Sequence, residues 1–131
     1  MVKVNEVMAK SVFTVSGNTK IKETADLMKR NGVGSLLVKD QDQIVGIVTE
    51  TDIVHKIVAM GLSPQITRVD SVMSFPVMTI EADEPLEQAG RQMVENGIRH
   101  LAVTQEGDVI GMISMRDLLR PVYMPKEGPG S

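Results

Sequence analysis

The sequence contains no cysteine, no tryptophan and very few aromatic residues. Without cysteine the chain can form neither disulfides nor thiolate metal sites, which is compatible with a reducing compartment. Aromatic residues make up only 2% of the chain, so the stacking platforms that bind single-stranded bases are missing. The formal net charge of −3 provides no positive surface of the kind that nucleic acids require.

Long apolar runs are missing as well. No run approaches the ~18 residues of a membrane span, and the N-terminus lacks the apolar region of a secretory signal. The chain has 131 residues, of which 42% are hydrophobic and 24% charged, so it can bury one sizeable core and is globular rather than disordered. We therefore expect a soluble, cytoplasmic protein with neither a nucleic-acid nor a membrane partner.

An internal repeat organises the chain. Placing Val7-Met8 over Val72-Met73 gives an offset of 65 residues. About a dozen identities then fall in roughly fifty positions without a gap, which is the signature of a duplicated unit. The identical pairs include Thr14 and Thr79, Met28 and Met93, Asn31-Gly32 and Asn96-Gly97, Gly46 and Gly111, and Asp52 and Asp117.

Each copy predicts the order β-α-β-β-α. A short extended segment precedes a helix, whose start is marked by Asn18-Thr19 in the first copy and by Asp83-Glu84, with Pro85 as a first helical residue, in the second. The helix ends at Asn31-Gly32 or Asn96-Gly97, because glycine tolerates the left-handed stop conformation. Two apolar runs separated by turn residues then predict a hairpin, and a second helix follows. The fold class is therefore α/β (α+β), with two pseudo-symmetric units. The predicted divisions are repeat 1 at 1–61, a linker at 62–68, repeat 2 at 69–120, and a flexible tail at 121–131 that ends like a cloning remnant.

Two octamers stand where each second helix begins: GIVTETDI, residues 46–53, and GMISMRDL, residues 111–118. In one interpretation, Thr49 with Asp52 and Ser114 with Asp117 are capping boxes. In the other, the same carboxylate accepts hydrogen bonds from a vicinal diol, as an acidic residue does when it holds ribose. Glycine at the start of each octamer would let another backbone or a flat ligand approach the strand.

These residues together resemble a tandem pair of CBS (cystathionine β-synthase) domains over about Val4 to Leu119. The resemblance rests on the paired Val-Met segments, on NGVGSLLV and NGIRHLAV, and on the two octamers. It implies that the units pack sheet to sheet as one Bateman module with two clefts. It further implies regulatory binding of AMP, ADP or ATP, with S-adenosylmethionine as an alternative ligand, and association into homodimers.

The resemblance also implies roles for individual residues. Asp52 with Thr49 would hold ribose in one cleft, and Asp117 with Ser114 in the other. Ile47 and Met112 would line the floors, and each adenine would be walled partly by the opposite copy. The implied walls are Met73, Met78 and Ile98 across from Asp52, and Met8, Phe13 and Val33 across from Asp117.

Phosphate binding is expected to be one-sided. The residue before each aspartate can face phosphates, and it is Thr51 in the first octamer but Arg116 in the second. Within the resemblance, Arg99 and His100 lie where phosphates converge, whereas the first copy has Gly34-Ser35 there. The alternative for the Arg99-His100 pair is a solvated strand entry.

Three functions compete. The first is a non-catalytic, energy-sensing module that binds adenine nucleotides and acts on a dimer or on a regulated protein in trans. The second is a structural dimerisation module with vestigial clefts. It is favoured by Thr51, where many family members have arginine, and by Ala102, where the family usually has proline. An enzyme is the least favoured function. Nothing in the sequence marks an oxyanion hole or an orienting group for a triad of Ser114, His100 and Asp117, and no cluster of ligand residues predicts a metal site.

Overall fold

The computed structural model describes residues 1–123. The chain contains two three-stranded sheets, each accompanied by helices, which confirms the predicted mixed α and β class. It divides into two compact units, Phe13–Val77 and a second that combines Met1–Val12 with the described residues from Met78 to Tyr123. Most of the predicted flexible tail lies outside the described residues.

The unit Phe13–Val77 has one sheet, in which the strands β1 (Thr14–Ser16), β2 (Ser35–Asp40) and β3 (Gln43–Thr49) lie in that order. Strand β1 pairs in parallel with β2, and β2 pairs antiparallel with β3. A single turn of α-helix and a π-helical segment follow β3, and a short 3-10 helix closes the unit. The bounds of the helices are α2 Ile21–Asn31, α3 Glu50–Asp52, the π-helix Ile53–Val58 and the 3-10 helix Val69–Ser71.

The sheet of the other unit repeats this order with the strands β4 (Thr79–Glu81), β5 (His100–Gln105) and β6 (Asp108–Ser114). The segment after β6 differs, since a 3-10 helix leads into an α-helix that contains Pro121, a residue with no N–H to donate to the preceding turn. The bounds of the helices are α1 Val4–Val7, α4 Leu86–Asn96, the 3-10 helix Met115–Leu119 and α5 Arg120–Tyr123.

The helix ends agree with the sequence better than the helix starts. Gly32 and Gly97 both cap their helices in the left-handed conformation with φ of 63°. Helix α2 starts at Ile21, with Lys20 as its N-cap, rather than at the Asn18-Thr19 pair. Pro85 is the N-cap of α4 and not its first helical residue, because its ψ of 145° is extended.

Both hairpins close through two-residue loops with positive φ. Gln41 and Asp42 have φ of 50° and 63°, and Glu106 and Gly107 have φ of 52° and 85°. This conformation is typical of the type I′ turn, whose twist matches that of the flanking strands. Each hairpin also carries an irregularity at the corresponding place, at Val38/Lys39 and at Val103/Thr104.

Each unit has its own hydrophobic core. In Phe13–Val77 the core includes Leu36, Val38, Val48 and Ile57 together with Val69, and Val69 is fully buried. In the other unit, fully buried Val4 holds the corresponding place beside Leu101, Val103 and Ile113. The first residues of each predicted repeat therefore complete the core of the compact unit that holds the strands of the other repeat.

Candidate functional site

The first octamer forms a capping box. Strand β3 ends at Thr49, whose backbone N–H and hydroxyl donate to Asp52 Oδ2 at 3.0 and 3.2 Å. The Asp52 N–H donates in return to the Thr49 hydroxyl at 3.3 Å. Asp52 is only 4% exposed. The cap predicted from the sequence is therefore present, and it uses one carboxylate oxygen.

The other oxygen of Asp52 also has two donors. The Ser74 hydroxyl donates to Asp52 Oδ1 at 2.9 Å, and the Lys56 ammonium lies 2.9 Å from the same atom. Lys56 donates further to the Val72 carbonyl at 2.8 Å. Ser74 is held by a pair of backbone hydrogen bonds with Ile47, of 2.8 and 2.9 Å. The carboxylate is thus bonded on both sides within its own unit.

Gly46 allows this segment to lie close to the strand. A Cβ at Gly46 would stand 2.5 Å from Met73 Sδ and 3.0 Å from the Ser74 carbonyl oxygen. Gly111 is equivalent, since a Cβ there would stand 2.6 Å from Met8 Sδ and 2.8 Å from the Ala9 carbonyl oxygen. The sequence allowed either a backbone segment or a flat ligand to lie against each glycine, and in both units a backbone segment lies there.

The second octamer forms a related cap whose carboxylate has fewer donors. The Ser114 N–H and hydroxyl donate to Asp117 Oδ2 at 2.8 and 3.1 Å. Arg120 Nε donates to Asp117 Oδ1 at 3.0 Å. Ala9 makes the same backbone pair with Met112 that Ser74 makes with Ile47, but it has no hydroxyl to offer. Asp117 is 6% exposed, so it is nearly as buried as Asp52.

Positive charge gathers beside the second cap. The Met115 N–H donates to the Arg99 carbonyl at 2.8 Å, which fixes Arg99 next to the turn that carries Arg116. His100 pairs with Ser114 across β5 and β6. In the other unit the Glu50 N–H donates to the Gly34 carbonyl at 3.1 Å, so Gly34 and Thr51 hold the places of the two arginines. The two units therefore differ in charge at equivalent backbone positions, and one-sided phosphate binding stays a prediction.

The apolar residues of the predicted clefts are divided between the two units. The six residues predicted to wall the adenines are all partly buried against a core. Phe13, Val33 and Met73 pack against the core of Phe13–Val77, whereas Met8, Met78 and Ile98 pack against that of the other unit. Met73 therefore shares a unit with Asp52, and Met8 shares one with Asp117. The assignment of these side chains to an adenine remains a prediction.

Sequence reasoning missed three residues that bind the two carboxylates. Lys56 and Arg120 lie four and three positions after their aspartates, a spacing at which side chains on a helix meet. That signal was available in the sequence. Ser74 lies 22 positions from Asp52, and nothing in its local sequence indicates the contact.

The described part of the chain has neither a metal-ligand cluster nor a membrane-spanning helix. Residues 1–123 contain no group of three or more His, Asp or Glu side chains placed to hold a metal ion. Among the helices described there, none is long and apolar enough to cross a membrane.

Comparison with known proteins identifies the family. The CBS domain model matches residues 4–59 and 69–123, so the chain belongs to the CBS domain family and carries two such domains in tandem. An uncharacterized protein of Methanopyrus kandleri is 37% identical over 121 residues, or 91% of this chain. The match spans only 62% of that relative's length.

Solved structures of CBS-domain proteins have the same fold. One from Burkholderia ambifaria superposes with a TM-score of 0.90 at 32% identity, covering 99% of this chain and 100% of the other. The hexameric CBS-CP12 protein of bloom-forming cyanobacteria gives 0.85 at 31% identity, with 97% and 76% covered. The CBS domain pair of protein MJ0100, in complex with 5′-methylthioadenosine and S-adenosylmethionine, gives 0.80 at 25% identity, with 91% and 94% covered.

Proposed function

We propose that this chain is a non-catalytic regulatory module that binds an adenosine-containing ligand and signals through a dimer or a partner protein. The ligand is an adenine nucleotide, AMP, ADP or ATP, with S-adenosylmethionine as the alternative. Family membership supports the general class, since a neighbour of this fold was crystallised with two adenosine derivatives. The identity of the ligand depends on the side chains of this chain.

One observation carries the proposal: the buried Asp117 carboxylate and two exposed arginines lie at one edge of the same unit. Asp117 supplies a carboxylate that can accept from both hydroxyls of a ribose, and Ser114 fixes its orientation. Arg99 and Arg116 flank the same turn, and both are exposed. Guanidinium groups bind phosphate through strong charge-assisted hydrogen bonds. Ribose and phosphate groups could therefore be bound side by side.

Regulation requires that the ligand favour one of two states. Exposed apolar side chains lie on the helical segments that follow the two caps: Val54 and Val58 after the first, and Leu119 and Val122 after the second. Apolar surface of this kind favours self-association or a protein partner. A ligand that rearranges the caps would change the segments that carry these side chains.

A thermal-shift and calorimetry screen with AMP, ADP, ATP and S-adenosylmethionine tests the proposal. We expect saturable binding by at least one ligand, and loss of that binding in D117N, which keeps an acceptor for the cap. The exposed Asp26→Asn in α2 is the matched control and should bind as the wild type does. No binding at millimolar concentration, or unchanged binding in D117N, would contradict the proposal.

A structural dimerisation module is the second candidate. The observation in its favour is the Asp52 carboxylate, which is fully engaged by Thr49, Ser74 and Lys56. If both caps are only structural, the dimer mass measured by light scattering should stay the same with every ligand of the screen, and no ligand should raise the melting temperature.

A further inference from the structure

We propose that Ser74 and Lys56 are built-in occupants of the Asp52 carboxylate, which close that half-site to a ribose diol and leave Asp117 as the ligand-binding carboxylate. This inference rests on the proposed function and assigns it to one of two homologous half-sites. It makes Ser74 and Lys56 residues that determine where the ligand binds.

The acceptor capacity of a carboxylate limits what Asp52 can bind. A carboxylate offers about four lone-pair positions. Asp52 accepts two hydrogen bonds from Thr49 on Oδ2, and the Ser74 hydroxyl and the Lys56 ammonium both approach Oδ1. A diol, which needs two acceptor positions, would have to displace both occupants of Oδ1.

The Asp117 carboxylate is contacted by fewer donors than that of Asp52. Its Oδ2 also accepts two hydrogen bonds, from Ser114, but its Oδ1 is contacted by Arg120. At the 65-residue offset that relates Val7 to Val72, Ser74 corresponds to Ala9 and Lys56 to Pro121. Neither of these side chains can donate a hydrogen bond. The two half-sites therefore share a backbone and differ in their occupants.

The side chains that contact the two carboxylates differ in the further contacts that hold them in place. Ser74 is fixed by two backbone hydrogen bonds to Ile47, and its displacement would leave a hydroxyl without its acceptor next to a buried carboxylate. Lys56 is tied to the Val72 carbonyl as well. The Arg120 and Lys56 side chains are similarly exposed, at 51% and 43%, so exposure does not separate the two cations. The half-sites differ in the Ser74 hydroxyl and in the bond from Lys56 to the Val72 carbonyl, and a diol can therefore displace Arg120 more readily than Ser74 and Lys56 together.

Isothermal titration calorimetry with AMP, and separately with S-adenosylmethionine, tests this inference. For the wild type we expect one site per chain that is lost in D117N and kept in D52N. In S74A/K56Q, which vacates Oδ1 of Asp52, we expect a second site that disappears when D52N is added. The control K22Q removes a lysine with the same four-residue spacing to an exposed aspartate, Asp26, and should leave the stoichiometry at one.

The reverse variant tests the same inference without removing contacts from the unit Phe13–Val77. Ala9→Ser places a hydroxyl at the position that corresponds to Ser74, and it should weaken AMP binding about tenfold, the loss of roughly one hydrogen bond. It also decides the matter if S74A/K56Q fails to fold. Wild-type affinity in A9S would overturn the inference.

Other outcomes separate this inference from the proposed function. Wild-type binding that is lost in D52N but kept in D117N would overturn the inference alone. So would a tenfold weakening of wild-type binding by S74A, since Ser74 would then contact the ligand. A wild type that binds neither ligand, beside an S74A/K56Q that binds, would overturn the proposed function but support the closure. Absence of binding in both proteins would overturn both.

Discussion

The sulfur of Met73 lies directly over Gly46, so close that a Cβ there would stand 2.5 Å from it. The same relationship joins Met8 and Gly111 in the other unit. In each case the methionine belongs to a segment whose next residue forms a backbone pair with the strand, Ser74 with Ile47 and Ala9 with Met112. The glycine, the methionine and the backbone pair together position the segment beside the capping aspartate.

Gly46→Ala should destabilise the protein by about 1–3 kcal/mol, the usual cost of overpacking. The methionine can move, but the Ser74 carbonyl oxygen, 3.0 Å from the added Cβ, is backbone and can move less. Chemical denaturation measures the change. Gly90→Ala in α4 is the control, because a Cβ there meets only the end of Leu118 at 3.3 Å. Equal effects of the two substitutions would contradict the close packing at Gly46.

Asp52→Ala should cost more stability than Asp117→Ala. Both substitutions remove a cap worth about 1 kcal/mol. Asp52→Ala additionally leaves the Ser74 hydroxyl without its acceptor, at a cost of about 1–3 kcal/mol where the group stays buried. The free energy of unfolding of both variants, measured in urea, gives the comparison. Equal losses would show that the contact between Ser74 and Asp52 contributes nothing.

The first hairpin can be stabilised through its loop. Gln41 and Asp42 both have positive φ, which costs a residue with a Cβ more than it costs glycine. Replacing the pair with Asn-Gly should raise the free energy of unfolding by about 1 kcal/mol. Gly107→Ala in the second hairpin should lower it by a similar amount. A loss of stability with Asn-Gly would mean that the loop side chains make contacts that outweigh the backbone term.

Arg116→Gln should weaken AMP binding about tenfold, or ~1.4 kcal/mol, and leave 5′-methylthioadenosine binding unchanged, because only AMP carries a phosphate. Calorimetry with the two ligands measures the difference. Arg91→Gln is the control, since Arg91 is exposed on α4 and donates to Gln88. A similar loss with both ligands would place Arg116 away from the phosphate.

The fold could be predicted from the sequence largely because it is repeated. The glycines at 32 and 97 mark helix ends, and paired apolar runs separated by turn residues mark hairpins, since both signals depend on neighbouring residues. The paired caps followed from the same local spacing. The helix starts were less accurate because Lys20 and Pro85, which are not usual caps, hold the N-cap positions.

The environment of the two carboxylates could be predicted only in part. Lys56 and Arg120 follow from helical spacing once the aspartates are known. Ser74 could not be found, because its contact with Asp52 depends on the return of the chain to a strand that ends 25 residues earlier, at Thr49. The difference between Ser74 and Ala9 is visible in the sequence, but its meaning depends on that packing.

Amide NMR shifts during a titration with AMP, repeated with S-adenosylmethionine, test most directly whether Asp117 holds the ligand. The Ser114 amide donates to Asp117, and the Thr49 amide donates to Asp52, so each reports on its own carboxylate. We predict saturable shifts of Ser114 and its neighbours through Asp117, with Thr49 and Asp52 unchanged. Shifts at Thr49 and Asp52 without shifts at Ser114, or no shift at either cap with both ligands, would contradict the assignment of the ligand to Asp117.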